Sequence, residues 1–248
     1  MSDKLTPFFT STSLPRRTFL RAAGATVATS TLALAGCSDD DDENTPATPP
    51  IPLLSYTNGV QNISANNIVF NYLYSLHQLT LAFYQAVVAA FPTGMTVAEQ
   101  AGFTDLRDHE LIYTESYKYL LGANGIAPLI EFTFTTLTLT TRAGVLAAAK
   151  KFEDLTVAAY NDVVMRFNTD ATGKEYLLFA GKIASVKARH AAYVRDLEVP
   201  GSFAGTDVVS SSGDLAGLDT MLAPSAVITE LAPYFTVTVV TSNTAALA

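Results

Sequence analysis

The sequence predicts an all-α protein, a four-helix bundle with one long crossover between its second and third helices, followed by an irregular C-terminal tail. Three observations carry this prediction. Apolar residues recur at steps of three and four in four segments of about 25 residues each. The segments fall into two pairs, with a short break inside each pair and a long extended stretch between them. Helix breakers stand where the periodicity stops, at Pro92, Gly122, and Pro200 with Gly201.

The first helix reads from about Ala65 to Ala90 on the stripe Leu73, His77, Thr80 or Leu81, Tyr84 and Val88, with Ser64 available as N-cap. The second is carried by Phe103, Leu106, Glu110, Tyr113, Tyr117 and Leu120, and Gly122 occupies a C-cap position. Phe132, Phe134 and a Thr/Leu alternation through Thr141 read as an extended connection, polar on one side. The third helix, Ala143 to Phe167, aligns Leu146, Ala149, Glu153, Thr156 or Val157, Tyr160 and Val164. The fourth, Lys174 to Glu198, aligns Tyr176, Ala180, Ile183, Lys187, His190, Val194 and Leu197. Lys187 puts a charge inside that apolar stripe, and His190 follows three residues later. An unpaired buried ion costs roughly several kcal/mol, so both side chains require partners elsewhere in the chain. Past Gly201 the composition turns to Ser, Gly and Asp, then to a short helix near Pro224 to Ala232. A Thr/Val run from Phe235 to Thr241 reads either as a strand or as an apolar strap along the bundle.

Residues 1–36 read as an export signal. Arg16 and Arg17, followed by Thr18, Phe19, Leu20 and Arg21, resemble a twin-arginine motif, and the weakly apolar stretch Ala22 to Gly36 is too short to span a bilayer. It ends in Leu34-Ala35-Gly36-Cys37, which resembles a lipoprotein cleavage site and makes Cys37, the single cysteine, the expected point of lipid attachment. Residues 37–60, with the acidic run Asp39 to Glu43 and four prolines, are expected to form a lipidated, disordered tether. Residues 61–235 make the bundle with its short C-terminal helix, and 236–248 a tail. Without the leader the chain keeps 11 basic residues against 22 acidic ones. That balance argues against nucleic acid and against a polybasic membrane contact, so the expected membrane partner is reached through the lipid on Cys37. The expected location is the cell envelope, periplasmic or surface-exposed. There is no Gly-rich phosphate loop, no zinc-finger cysteine pair and no internal repeat.

Five segments, Asn71 to Tyr84 (NYLYSLHQLTLAFY), His109-Glu110, Phe152 to Tyr160 (FEDLTVAAY), Val186 to Tyr193 (VKARHAAY) and Leu222 to Phe235 (LAPSAVITELAPYF), resemble in order and spacing the ferritin-like domains of the desiccation-related type. The resemblance spans about Asn66 to Phe235. It implies a site in the bundle core where two helices each give a glutamate and two each give Glu-x-x-His, together holding two metals. Carried over position by position, the first glutamate falls on His77, and the second helix keeps Glu110 but has Tyr113 for the histidine. The third helix keeps Glu153, while the fourth keeps His190 and has Lys187 for the glutamate. A register shift of three residues would put Thr80 in place of His77, which is a poorer ligand still.

Two functional classes follow from the resemblance. In the first, the ancestral di-metal site has become a buried salt-bridge network, with Lys187 in the role of the cation, one protonated histidine balancing the second carboxylate, and Tyr113 donating to a carboxylate. The protein is then a structural, stress-related or interaction protein with no cofactor and no ferroxidase activity. In the second, His77, Glu110, Glu153 and His190 hold one iron, manganese or zinc ion, with an attached oxidoreductase activity. Homo-oligomerisation is compatible with either class, although no residue pattern identifies an assembling surface or a protein partner. His109 points about 100° from Glu110 and is expected to be a surface or satisfied histidine, and Asp154 and Asp162 are expected to be solvated.

Overall fold

The computed structural model describes residues 65–125 and 130–236. Four long helices form the bundle: α1 (Ala65–Ala89), α2 (Val97–Leu121), α3 (Arg142–Val163) and α4 (Ala171–Glu198), followed by the short α5 (Pro224–Leu231). Their order and the crossover agree with the fold expected from the periodicity. The leader and tether, Cys37, Ser64 and the run beyond Thr236 lie outside the described residues.

α1 carries no charged residue, and its side chains are buried on nearly every face, from Val69 and Phe70 through Tyr84 and Val87. A helix uncharged and buried on most faces needs cover on several sides. α2 packs along it on one side and α3 on another, and the crossover closes a third. There the Phe134 ring meets Phe83, and the Ile130 amide donates to Gln78 Oε1 at 3.3 Å. Residues 130–141 form no strand. They hold an isolated bridge from Phe132 to Phe235 and a turn in which the Leu137 amide donates to the Phe134 carbonyl. The C-terminal segment wraps α3: the Leu222 amide donates to the Ala158 carbonyl, and Tyr234 packs edge-on against Phe152.

Polar caps fix the helix ends. Thr96 and Glu99 form a reciprocal capping box at the start of α2, Thr141 accepts from Gly144 N, and Asp170 accepts from Gly173 N. α2 ends on Gly122, whose positive φ of 51° is backbone that glycine adopts without a Cβ penalty. Arg142 at the head of α3 binds Glu99 Oε1 and the Leu197 carbonyl, joining three helix ends. α3 stops at Val163, short of the Phe167 expected from sequence, because residues 164–167 turn instead. The Arg166 amide bonds the Val163 carbonyl, and Arg166 pairs with Asp162. No described helix is long and apolar enough to cross a membrane.

Candidate functional site

All four long helices contribute to one polar cluster at the bundle centre, and each contribution comes from the stripe the helical period turns inward. His77, Glu110, Glu153 and Lys187 are fully buried, and His190 is nearly so. Lys187 Nζ lies 2.6 Å from Glu110 Oε1 and 2.6 Å from Glu153 Oε2. The first contact is an aligned hydrogen bond; the second is an ion pair off the hydrogen-bond line, which leaves Glu153 Oε2 without an aligned donor. Lys187 thus bridges the two carboxylates the sequence proposed as its partners.

The remaining carboxylate oxygens are also engaged. Glu110 Oε2 accepts from Thr80 Oγ1 at 2.7 Å and contacts His77 Nδ1 at 2.7 Å. Glu153 Oε1 accepts from the Tyr84 hydroxyl at 2.8 Å. His77 Nε2 meets the Tyr160 hydroxyl at 2.7 Å, and Tyr160 in turn meets the Tyr117 hydroxyl at 2.7 Å. Both His77 nitrogens are therefore committed inside the network.

Burial and the ammonium together set the protonation states. Burial alone would raise Glu110, but Lys187 and His77 beside it more than offset this and hold it well below the usual carboxylate range. Glu153 is raised to about 7, because burial and the negative Glu110 outweigh the attraction of Lys187. Lys187 is raised in spite of burial by its two carboxylates. Burial lowers His77, and burial with Lys187 nearby lowers His190 to about 3. Both histidines are therefore neutral at neutral pH. The expectation that a histidine supplies the second positive charge is corrected here: Glu153, raised to about 7, takes up the balancing proton as pH falls through neutrality.

Tyr113 also differs from expectation. It is half-buried with its ring 5.2 Å from the His77 ring, and Tyr84 is the phenol that donates to Glu153. Tyr84 and Tyr160 were not singled out as site residues in the sequence, and Thr80 only as a poorer occupant of the His77 position. Their signal was present, since Thr80 and Tyr84 stand three and seven residues after His77, and Tyr160 seven after Glu153, but a tyrosine on an apolar stripe reads equally well as core. Asp162 is not solvated as expected but buried against Arg166, and Asp154 is only partly exposed, pairing with buried Arg195 at 2.7 Å. His109 is exposed as expected, yet its Nδ1 lies 3.0 Å from His190 Nε2.

The donor set can be tested against a metal. A two-metal site needs four carboxylates and two histidines, and the residues here do not provide it. One ion would find Glu110, Glu153 and His190, whose ligand atoms all lie within 4.8 Å of one another. It would share both carboxylates with an ammonium already 2.6 Å from each. Against known proteins, the model of the ferritin-like domain family matches residues 66–199, which contain nearly all of the four long helices. No curated protein matches the chain.

Proposed function

We propose that this chain, which belongs to the ferritin-like domain family, is an envelope-anchored bundle protein whose core site is closed by Lys187 instead of by metal, and that it serves a structural, stress-related or interaction role without ferroxidase activity. The observation that carries this reading is the pair of 2.6 Å contacts from one fully buried ammonium to both surviving carboxylates. A divalent ion there faces a resident positive charge and must displace it or take its proton. Elemental analysis of the purified chain tests the reading: the expected result is no stoichiometric iron, manganese or zinc. One or two ions per chain that disappear in Glu153→Gln would overturn it. A triple variant, His77→Glu, Tyr113→His and Lys187→Glu, restores the family pattern at those positions and is expected to acquire metal.

A second reading has its own observation. Buried His190 Nδ1 has no hydrogen-bond partner and lies 3.9 Å from Glu153 Oε2, a gap between two donor atoms that one ion could fill. Those residues with Glu110 would then hold a single iron, manganese or zinc ion as a Lewis acid or redox centre, and Lys187 would have to swing aside. Metal content unchanged in Glu153→Gln counts against it.

Anchoring rests on Arg16, Arg17 and the Leu34 to Cys37 segment. Cys37→Ala is expected to move the exported protein from the membrane fraction to the soluble fraction. A variant that remains with the membrane would remove the lipid from this scheme.

A further inference from the structure

The chain has three histidines, and the core uses only one of them fully. His77 commits both nitrogens to Glu110 and Tyr160. The other two stand side by side where α2 approaches α4, His109 exposed and His190 behind it, their ring planes parallel to within 4° and the ring centroids 5.1 Å apart. His109 Nδ1 and His190 Nε2 are 3.0 Å apart. We propose that these two nitrogens form a solvent-facing site for one divalent copper or zinc ion, separate from the carboxylates bridged by Lys187.

The separation suits chelation. With metal–nitrogen bonds of about 2.0–2.1 Å, nitrogens at this distance subtend an angle of about 95° at the ion, between a square-planar cis pair and a tetrahedral one. Neither ring has to travel far. His190 is also arranged as a metal-binding histidine usually is, with its other nitrogen turned toward a carboxylate. Its Nδ1 lacks a hydrogen-bond partner and faces Glu153 Oε2 at 3.9 Å, close enough for a bridging water. A proton on Nδ1 leaves the Nε2 lone pair directed outward.

The free pair shares one N–H between the rings. Coordination at His109 Nδ1 moves its shared proton to Nε2 through solvent. Exposure of His109 admits water as the remaining ligands. Asp105, one turn earlier on α2 and also exposed, adds a negative charge that favours a cation. The two backbones are held in place next door, where the Tyr193 hydroxyl of α4 sits over Gly102 of α2 so closely that a Cβ at residue 102 would collide with it. Lys187 is three residues from His190 on the inner side, in contact with Glu110 and Glu153.

The test titrates the full chain, purified without a histidine tag, with Zn(II) by calorimetry and with Cu(II) by electron paramagnetic resonance. The expected result is one ion per chain and a copper spectrum with coupling to two imidazole nitrogens. His109→Ala, an exposed substitution, is expected to weaken binding at least about tenfold and to abolish the two-nitrogen signature. No binding, or binding unchanged in His109→Ala, would overturn the proposal. Binding lost in Glu153→Gln but kept in His109→Ala would place the ion in the core and overturn the lysine-closed site as well.

Discussion

Replacing Lys187 by methionine removes the ammonium while keeping a flexible side chain of similar length, and the consequence follows from the contacts it leaves behind. Glu110 and Glu153 remain fully buried, with hydroxyl and imidazole donors but no cation. Removing one partner of a buried ion pair costs about 3–5 kcal/mol, because the remaining charge has neither water nor counter-ion. The variant can escape only by taking up a proton. For a carboxylate whose ordinary pKa is about 4.4, that costs about 5 kcal/mol at pH 8 and about 1 kcal/mol at pH 5. Lys187→Met is therefore expected to lose about 3–5 kcal/mol of stability at pH 8 and at least about 1 kcal/mol less than that at pH 5. The chain contains no tryptophan, so urea unfolding is followed by circular dichroism at 222 nm. A variant as stable as the wild type at pH 8, or a loss that does not shrink at pH 5, would refute the buried-cation account.

Further expectations come from single groups. Glu153 is raised to about 7 in the fold, so the folded state holds its proton more tightly than the unfolded chain does, and its contribution to stability is lost as pH rises from about 4.5 through 7. Glu153→Gln cannot lose that proton, and its stability relative to wild type is expected to improve by roughly 3 kcal/mol between pH 5 and pH 8, measured as the difference between two urea curves. His190 has the opposite sign: lowered to about 3, it stays neutral in the fold while the unfolded chain takes up a proton, so stability is lost as pH falls from about 6.5. His190→Gln is expected to flatten that acid limb in a pH series of melting temperatures, and an unchanged limb would count against a neutral His190. Thr96→Ala removes the capping box at the head of α2 and should cost about 1 kcal/mol in the same unfolding assay.

The four helices were legible because a 3.6-residue period written over 25 positions leaves little alternative, and the observed α1 and α4 ends fall close to those read from breakers and caps. The early end of α3 was not legible. Val164 continues the apolar stripe in sequence, but in the fold it is exposed and Arg166 bends back to Asp162. In the site, a charge on a buried stripe forced the prediction of partners, and the two carboxylates at matching levels were the candidates available. Protonation was not legible, because whether a histidine carries charge depends on burial and on the distance to Lys187, which only the packed structure supplies. His109 was hidden for a geometric reason. Its 100° offset from Glu110 takes it off its own helix's core face, but α4 passes beside α2 closely enough for His190 to reach it.

The protonation pattern gives the site a character that neither a metal centre nor a simple salt bridge has. Lys187 and Glu110 hold opposite charges across the whole physiological range, since each is shifted further into its charged form. Glu153 is left with a folded pKa near neutrality, about 7, and its ionisation changes the net charge of a water-excluded centre by one. A metal ion would have fixed both carboxylates in the ionised form. A lysine is a single charge set against two carboxylates, so it fixes one and leaves the other to the proton. The hydroxyls of Tyr84, Tyr160 and Tyr117 then serve a definite purpose: they satisfy Glu153 and His77 as neutral donors and acceptors whose own pKa values burial pushes far upward. On the proposed reading the stability of the bundle depends on a proton at Glu153, and the pH dependence of unfolding, more directly than metal content, reports whether a proton or a metal ion occupies the core.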